Sequence, residues 1–415
     1  MADNRQCRWS LGLFLVFVAG MSFAVSGADW PNWRGPSKNG ISLDSHWSAD
    51  WPSGGPKVLW QKEIGIGFSS MTVSAGRVYA MGNTGSKGDK NEKSHEDVVY
   101  CFDARTGTEI WRHAYLTPLN PKYYEGGPSA TPTVADGKLF TVSKTGEVYC
   151  LDAASGAVRW HASLAQQHGL KVPTWGFSGS ALIVDNLVVL NVGTHGLALN
   201  KADGALVWST GTKEAGYSTP VEYEVDGMQC VALFGVDTLA GVALKTGEVL
   251  WEIPWKAHHD ENIADPVVLG DHLLVSSFLG DRCSLFSIGA DKLTEVWQHK
   301  DFLTWLNSPV VYQGYAYGAD NKGKAFRCME VNTGKIMWSK KGFGMASVMM
   351  AGGKLIILSE KGQLLVVPAS PDGFKELASA RILKGKCWTV PVLANGRIHA
   401  RSAAGDLVCL DVNAG

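Results

Sequence analysis

Three side chains that offer oxygen ligands, Glu125, Asp265 and Asn307, and three indoles, Trp175, Trp305 and Trp388, are the residues whose types could act together on a ligand. Carboxylate and amide oxygens suit a hard cation such as calcium, so Glu125, Asp265 and Asn307 form a candidate metal set. Asp265 is also the candidate catalytic base. A planar cofactor or ligand could stack on Trp175, Trp305 or Trp388, with Asn307 beside it. These residues lie far apart in the chain, so any such chemistry needs a fold that gathers them.

Other reactive types read differently. The run His258-His259-Asp260-Glu261 sets two imidazoles beside two carboxylates, yet adjacent strand residues point to opposite faces, and a loop of this composition is expected to face water. His195 and His272 read as surface or packing residues, and no Ser/His/Asp set assembles. Zinc has no CxxC or HxxxH spacing to hold it. Of eight cysteines, Cys101, Cys150, Cys328 and Cys409 occupy near-equivalent places in a repeated unit. Equivalent sites in neighbouring units lie too far apart for a disulfide, so they read as small buried strand residues.

That repeated unit is what must position the candidates. Asp103, Gly107 and Trp111 recur as Asp152, Gly156 and Trp160, then with Asn200 as Gly204 and Trp208, and with Glu330 as Gly334 and Trp338. Gly247 and Trp251 keep the second half, Trp297 has lost its Gly, and Leu377 stands where an eighth Trp is due. Trp60 has no first half before it, whereas Asp411 and Gly415 are a first half at the chain's end. The two ends complete one another. Motif ends roughly 40 to 50 residues apart, with several strand signals between them, indicate propeller blades. The expectation is an all-β, eight-bladed β-propeller of four-stranded antiparallel blades, closed by a strand at 58–64 pairing with the C-terminal strands.

Each part of the motif has a local reason. Gly supplies the turn between the third and fourth strands, and the acidic or amide side chain caps free backbone N–H groups there. The Trp is read as packing between neighbouring blades. With this period, the segments just before each innermost strand meet at one mouth of the central channel. They include Glu125, Trp175, Asp265, Trp305, Asn307 and Trp388. The mouth is either a ligand site or a channel plugged by these groups satisfying each other.

Residues 1–28 carry Arg5 and Arg8, an apolar run and then small residues, the order of a secretory signal peptide cut after Ser26 or Ala28. Residues 29–57, rich in Trp, Pro and Gly, form an arm held against the propeller by its rings, or a flexible tail. The propeller itself occupies 58–415, with a charged insert at 82–97 expected as a solvated hairpin tip. A net charge of -1 gives no footprint for nucleic acid. Forty-eight Gly and sixteen Trp suit many tight turns and aromatic packing between sheets.

The Asp103/Thr106/Gly107/Trp111 spacing resembles the tryptophan-docking motif of the pyrroloquinoline quinone (PQQ) repeat family. That family includes quinoprotein dehydrogenases and the outer-membrane assembly lipoprotein BamB. Trp30-Pro-Asn-Trp33-Arg-Gly-Pro36 followed by one propeller also resembles secreted PQQ-like proteins of Planctomycetes. The resemblance implies either of two functions. One is an exported, periplasmic or extracellular binding or scaffold module for a protein partner or small ligand. The other is an alcohol or sugar dehydrogenase holding PQQ and calcium. Neither an adjacent Cys-Cys pair nor a CxxCH haem site accompanies the motif. The binding module is therefore the leading expectation.

Overall fold

The computed structural model describes residues 28–86 and 94–414. The expected signal peptide up to Ser26, the centre of the charged insert and Gly415 lie outside the described residues. Strand Arg77–Asn83 and strand Glu96–Asp103 take in both ends of the insert, so its loop is shorter than expected.

Short runs of β-branched and aromatic residues, broken by Gly turns, fold into eight antiparallel sheets. Blade 2 is representative, with strands Thr133–Ala135, Lys138–Val142, Glu147–Asp152 and Val158–Ser163 in spatial order. Its first hairpin turns on Asp136 (φ 49°) and Gly137 (φ 70°), positive at both residues as a tight two-residue hairpin requires. The second strand is almost wholly buried and the third is buried or half-buried throughout, while the fourth exposes Val158, Arg159 and His161 and turns Trp160 inward. Blade 8 is made by both ends of the chain: Lys57–Glu63 pairs with Asp406–Asp411, placing Trp60 opposite Cys409. Ring closure thus occurs as expected, one residue earlier than the 58–64 assignment. All seven described cysteines are buried and free.

The motif Trp residues are aimed by a bulge. In blades 1 to 6 and blade 8 the register between the third and fourth strands slips immediately before the Trp. A bulge rotates the strand locally and re-aims the side chain. Blade 7, where Leu377 replaces Trp, has a regular register, and Leu377 is exposed. Each re-aimed indole except Trp251 then donates to the turn of the next blade. Trp60 donates to the Ala104 carbonyl, Trp111 to Ala153, Trp160 to Lys201 and Trp208 to Leu244. Trp297 and Trp338 donate likewise to Val331 and Ser370. In every case the acceptor lies three residues before the motif Gly. Trp251 faces a blade that lacks that Gly and donates to Tyr223 Oη of its own blade at 3.0 Å instead.

The arm is held by its rings, Trp30 and Trp47 being buried in a core shared with blades 1, 7 and 8, and it is held by its backbone as well. Ile41–Ser42 adds a parallel fifth strand to Ser347–Ala351, so blade 7 is five-stranded. Trp30 exchanges backbone bonds with Val73 of blade 1, and the Pro31 carbonyl accepts from Val134 of blade 2. Lys38 pairs with Glu222 of blade 4, Arg34 donates to the Pro309 carbonyl of blade 6, and Asp44 accepts from Gly396 of blade 8. Asp29 and Asp44 bind at turns between first and second strands. The arm therefore crosses that end of the channel.

Candidate functional site

An incomplete hydrogen-bonded ring runs through blades 1 to 6, two residues before their innermost strands. Ser70 N–H donates to Thr131 Oγ1, Thr131 N–H to Ser180 Oγ, and Ser180 N–H to Thr219 Oγ1. Thr219 N–H then donates to Asp265 Oδ1 at 2.7 Å, and Asp265 N–H to Ser308 Oγ at 2.7 Å. Asp265 is the carboxylate member of a series otherwise built from hydroxyls. Its second oxygen accepts from the arm, from Trp33 Nε1 at 2.6 Å. Burial raises the Asp265 pKa, opposed by the charge of Arg34 beneath it and by the Trp33 and Thr219 donors. The base candidate is thus a junction between ring and arm.

Above this junction is a cavity of about 590 Å³, lined by Trp33, Asp265, Glu261, His259, Asn307 and a set of aromatic rings. Trp388 stacks on Phe68 (5.5 Å between centroids), Phe68 meets Tyr124 edge-on (5.4 Å), and Tyr124 meets Trp175 (5.7 Å). Trp305 forms the opposing wall against Phe278 (5.5 Å). Its Nε1 donates to Glu261 Oε2 at 2.9 Å. Glu261 is buried, and burial raises its pKa against that indole donor.

The sequence candidates divide into two groups. Trp175, Trp305, Trp388, Asp265 and Asn307 all line the cavity. Glu125 does not join them; its carboxylate pairs with Lys386 at 2.7 Å. Asn307 Nδ2 donates to the Trp388 carbonyl at 3.2 Å, tying the mouth segments of blades 6 and 8 past that of blade 7. The three oxygen donors are therefore not brought together around one point. Among the described residues no group of three or more His, Cys, Asp or Glu side chains is placed to hold a metal ion. These residues do not fit calcium as the expected set would have. A PQQ molecule, anionic through its carboxylates, would meet Glu261 and Asp265 in the lining, while the nearest lysines, Lys386 and Lys144, sit against the Trp388 and Tyr124 rings rather than in the lining.

The expectation that His258–Glu261 is a solvated loop holds for three of its residues and fails for the fourth. His258, His259 and Asp260 are exposed, with His259 and Asp260 at φ 58° and 59°. This left-handed turn sends Glu261 inward, next to Asn262, whose amide donates to the carbonyls of Gly235, Val236 and Trp255. Glu261, His259, Phe68 and Trp33 were missed as lining residues. Glu261 adjoins the 262–265 mouth segment, and that adjacency was the available signal. Nothing in the arm's sequence indicated that Trp33 would reach blade 5.

An eight-bladed propeller of PQQ-like repeats, with one end crossed by an arm and an aromatic cavity at its mouth, is the class these features define. Residues 95–340 match the family described as outer membrane protein assembly factor BamB, and the chain belongs to that family. It is 22% identical over 384 residues to BamB of Moranella endobia (strain PCIT), covering 87% of this chain and 81% of that one. BamB of Yersinia pestis is 22% identical over 362 residues, covering 85% and 77%. Among solved structures, BamB from Moraxella catarrhalis superposes with a TM-score of 0.62 at 15% identity, covering 86% of this chain and 99% of that chain. Quinohemoprotein alcohol dehydrogenase from Comamonas testosteroni gives 0.67 at 12% identity, covering 94% and 81%. At these identities the two structures share the fold. Among the described residues no helix is long and apolar enough to cross a membrane.

Proposed function

We propose that this chain is an exported, periplasmic or extracellular binding and scaffold module that engages a protein partner through the mouth of its propeller. The observation that carries the reading is the aromatic cavity at one end of a channel whose other end the arm crosses. A concave apolar site with a few convergent polar groups is the usual form of a recognition site. Family membership supports a role in outer-membrane protein assembly, the task for which the relatives are named.

The competing reading is a PQQ-dependent oxidoreductase on an alcohol or sugar, favoured by the three indoles around the cavity. In that case Trp175, Trp305 and Trp388 would hold the ring system. One experiment separates the readings. A photo-crosslinking residue replaces Tyr123, which is 94% exposed at the mouth, and a control replaces Leu206 on the outer edge of blade 3. In the producing organism, a discrete protein adduct from position 123 but not from 206 is expected. Equal labelling from both positions, or a quinone spectrum with dye reduction when purified protein receives PQQ and calcium, overturns the binding reading.

A further inference from the structure

We infer that the mouth cavity is an aromatic cage for an organic cation, an alkylammonium or quaternary ammonium group, with Glu261 as its counter-ion. This rests on the mouth being the recognition site. Trp388, Phe68, Tyr124 and Trp175 form a continuous chain of ring contacts along one wall, and Trp305 stands on another. The faces of such rings carry negative potential, and a desolvated cation gains most from them.

The molecule already uses these rings in this way. Lys386 Nζ lies 4.2 Å from the Trp388 ring centroid and Lys144 Nζ lies 4.8 Å from that of Tyr124. Both lysines have acids of their own: Glu125 pairs with Lys386, and the charge of Asp97 acts on Lys144. Asp265 likewise has Arg34. Glu261 is different. Among the described residues it has no Lys or Arg partner, the one cationic side chain acting on it being the exposed His259, and its Oε2 accepts from the Trp305 indole while it faces the cavity. A buried carboxylate is costly unless an opposite charge arrives, so the cavity favours a cation over a neutral or anionic guest.

A sugar fits less well. It would be bound through directed hydrogen bonds, and three of the lining oxygens, on Ser180, Thr219 and Asp265, already accept backbone N–H groups of the ring. The cation could be a free small molecule or a lysine side chain of a protein partner, and the test distinguishes these sources.

The full chain is titrated with choline, with its neutral carbon isostere 3,3-dimethylbutan-1-ol and with N-acetyl-lysine methylamide, followed by tryptophan fluorescence and calorimetry. At least one cation is expected to saturate the protein about tenfold more tightly than the isostere, a gap within reach of one desolvated cation–π contact. Choline alone assigns a free quaternary ammonium, and the lysine derivative assigns a partner's side chain. Glu261→Gln should remove the preference for the cation, and Trp305→Phe should weaken binding while preserving the wall. Equal binding of cation and isostere, no saturation by either cation, or an unchanged preference in a folded Glu261→Gln protein overturns the inference. Position-123 adducts that persist in that event leave the binding function standing and remove only the ligand class.

Discussion

At the interblade turns the decisive atom is the one glycine lacks. A Cβ on Gly107 would lie 2.7 Å from the Trp60 ring, and one on Gly156 2.6 Å from the Trp111 ring. Gly137 has the same kind of backbone, φ 70° against 75° at Gly156, but open space around it. Gly156→Ala is therefore expected to cost about 2–3 kcal/mol, and Gly137→Ala about 1 kcal/mol, in urea unfolding. The difference measures the contact with the indole separately from backbone strain. Asp97 offers a test through pH. It is fully buried, its Oδ1 accepts from Asn83 at 2.7 Å, its Oδ2 has no bonded partner, and burial pushes its pKa up to about 7. A carboxyl raised in the folded state binds its proton more tightly there, so its contribution is intact below about pH 4 and is lost as pH rises towards 7. Asp97→Asn should flatten the decline in stability across that window. An unchanged pH profile would show that Asp97 is ionised in the native protein at low cost.

Among the elements, the arm does most that its composition did not announce. Its backbone joins the edge of blade 7, and its side chains reach blades 4, 5, 6 and 8. Trp33 is the point at which arm and site are one structure, because its N–H satisfies Asp265. Trp33→Ala should destabilise the protein by about 3 kcal/mol through lost packing and an unsatisfied carboxylate oxygen. Trp33→Phe, which keeps a ring and removes the donor, should cost about 1–2 kcal/mol. Thermal unfolding of both variants checks the order, and equal losses would assign the whole effect to packing.

For the whole molecule the vulnerable place is the seam where the two ends of the chain meet, in blade 8 and at its border with blade 1. Strand Lys57–Glu63 closes it by backbone pairing, and Arg401 closes it a second time from within. The Arg401 guanidinium is fully buried, donates to the carbonyls of Gly65, Ser69, Met81 and Ser402, and is pushed down to about 9 by burial. Its partners are backbone dipoles contributed from both sides of the seam. Arg401→Met leaves those carbonyls without a donor and should lower stability by about 3–5 kcal/mol. Arg159→Met, which breaks an exposed pair with Asp152, should change it by less than about 1 kcal/mol. Similar effects from the two substitutions would mean that backbone pairing alone holds the ring closed.

Blade number, the shared eighth blade and the buried strand positions of Cys101, Cys150, Cys328 and Cys409 were legible in the sequence because each depends on local spacing: a turn, a strand and an indole within nine residues repeat along the chain. The broken copies were legible for the same reason, and the regular register beside Leu377 is their structural counterpart. The mouth segments could also be placed by period, which is why Trp175, Trp305, Trp388, Asp265 and Asn307 do line one cavity. What each does there could not be read in the same way. Glu125 met Lys386, Glu261 turned inward past two left-handed residues, and Asp265 was taken by an indole 232 positions away. Periodicity specifies where a residue stands in its blade; the donor that reaches its side chain depends on how eight blades and an arm close around one axis, and only the tertiary structure decides that.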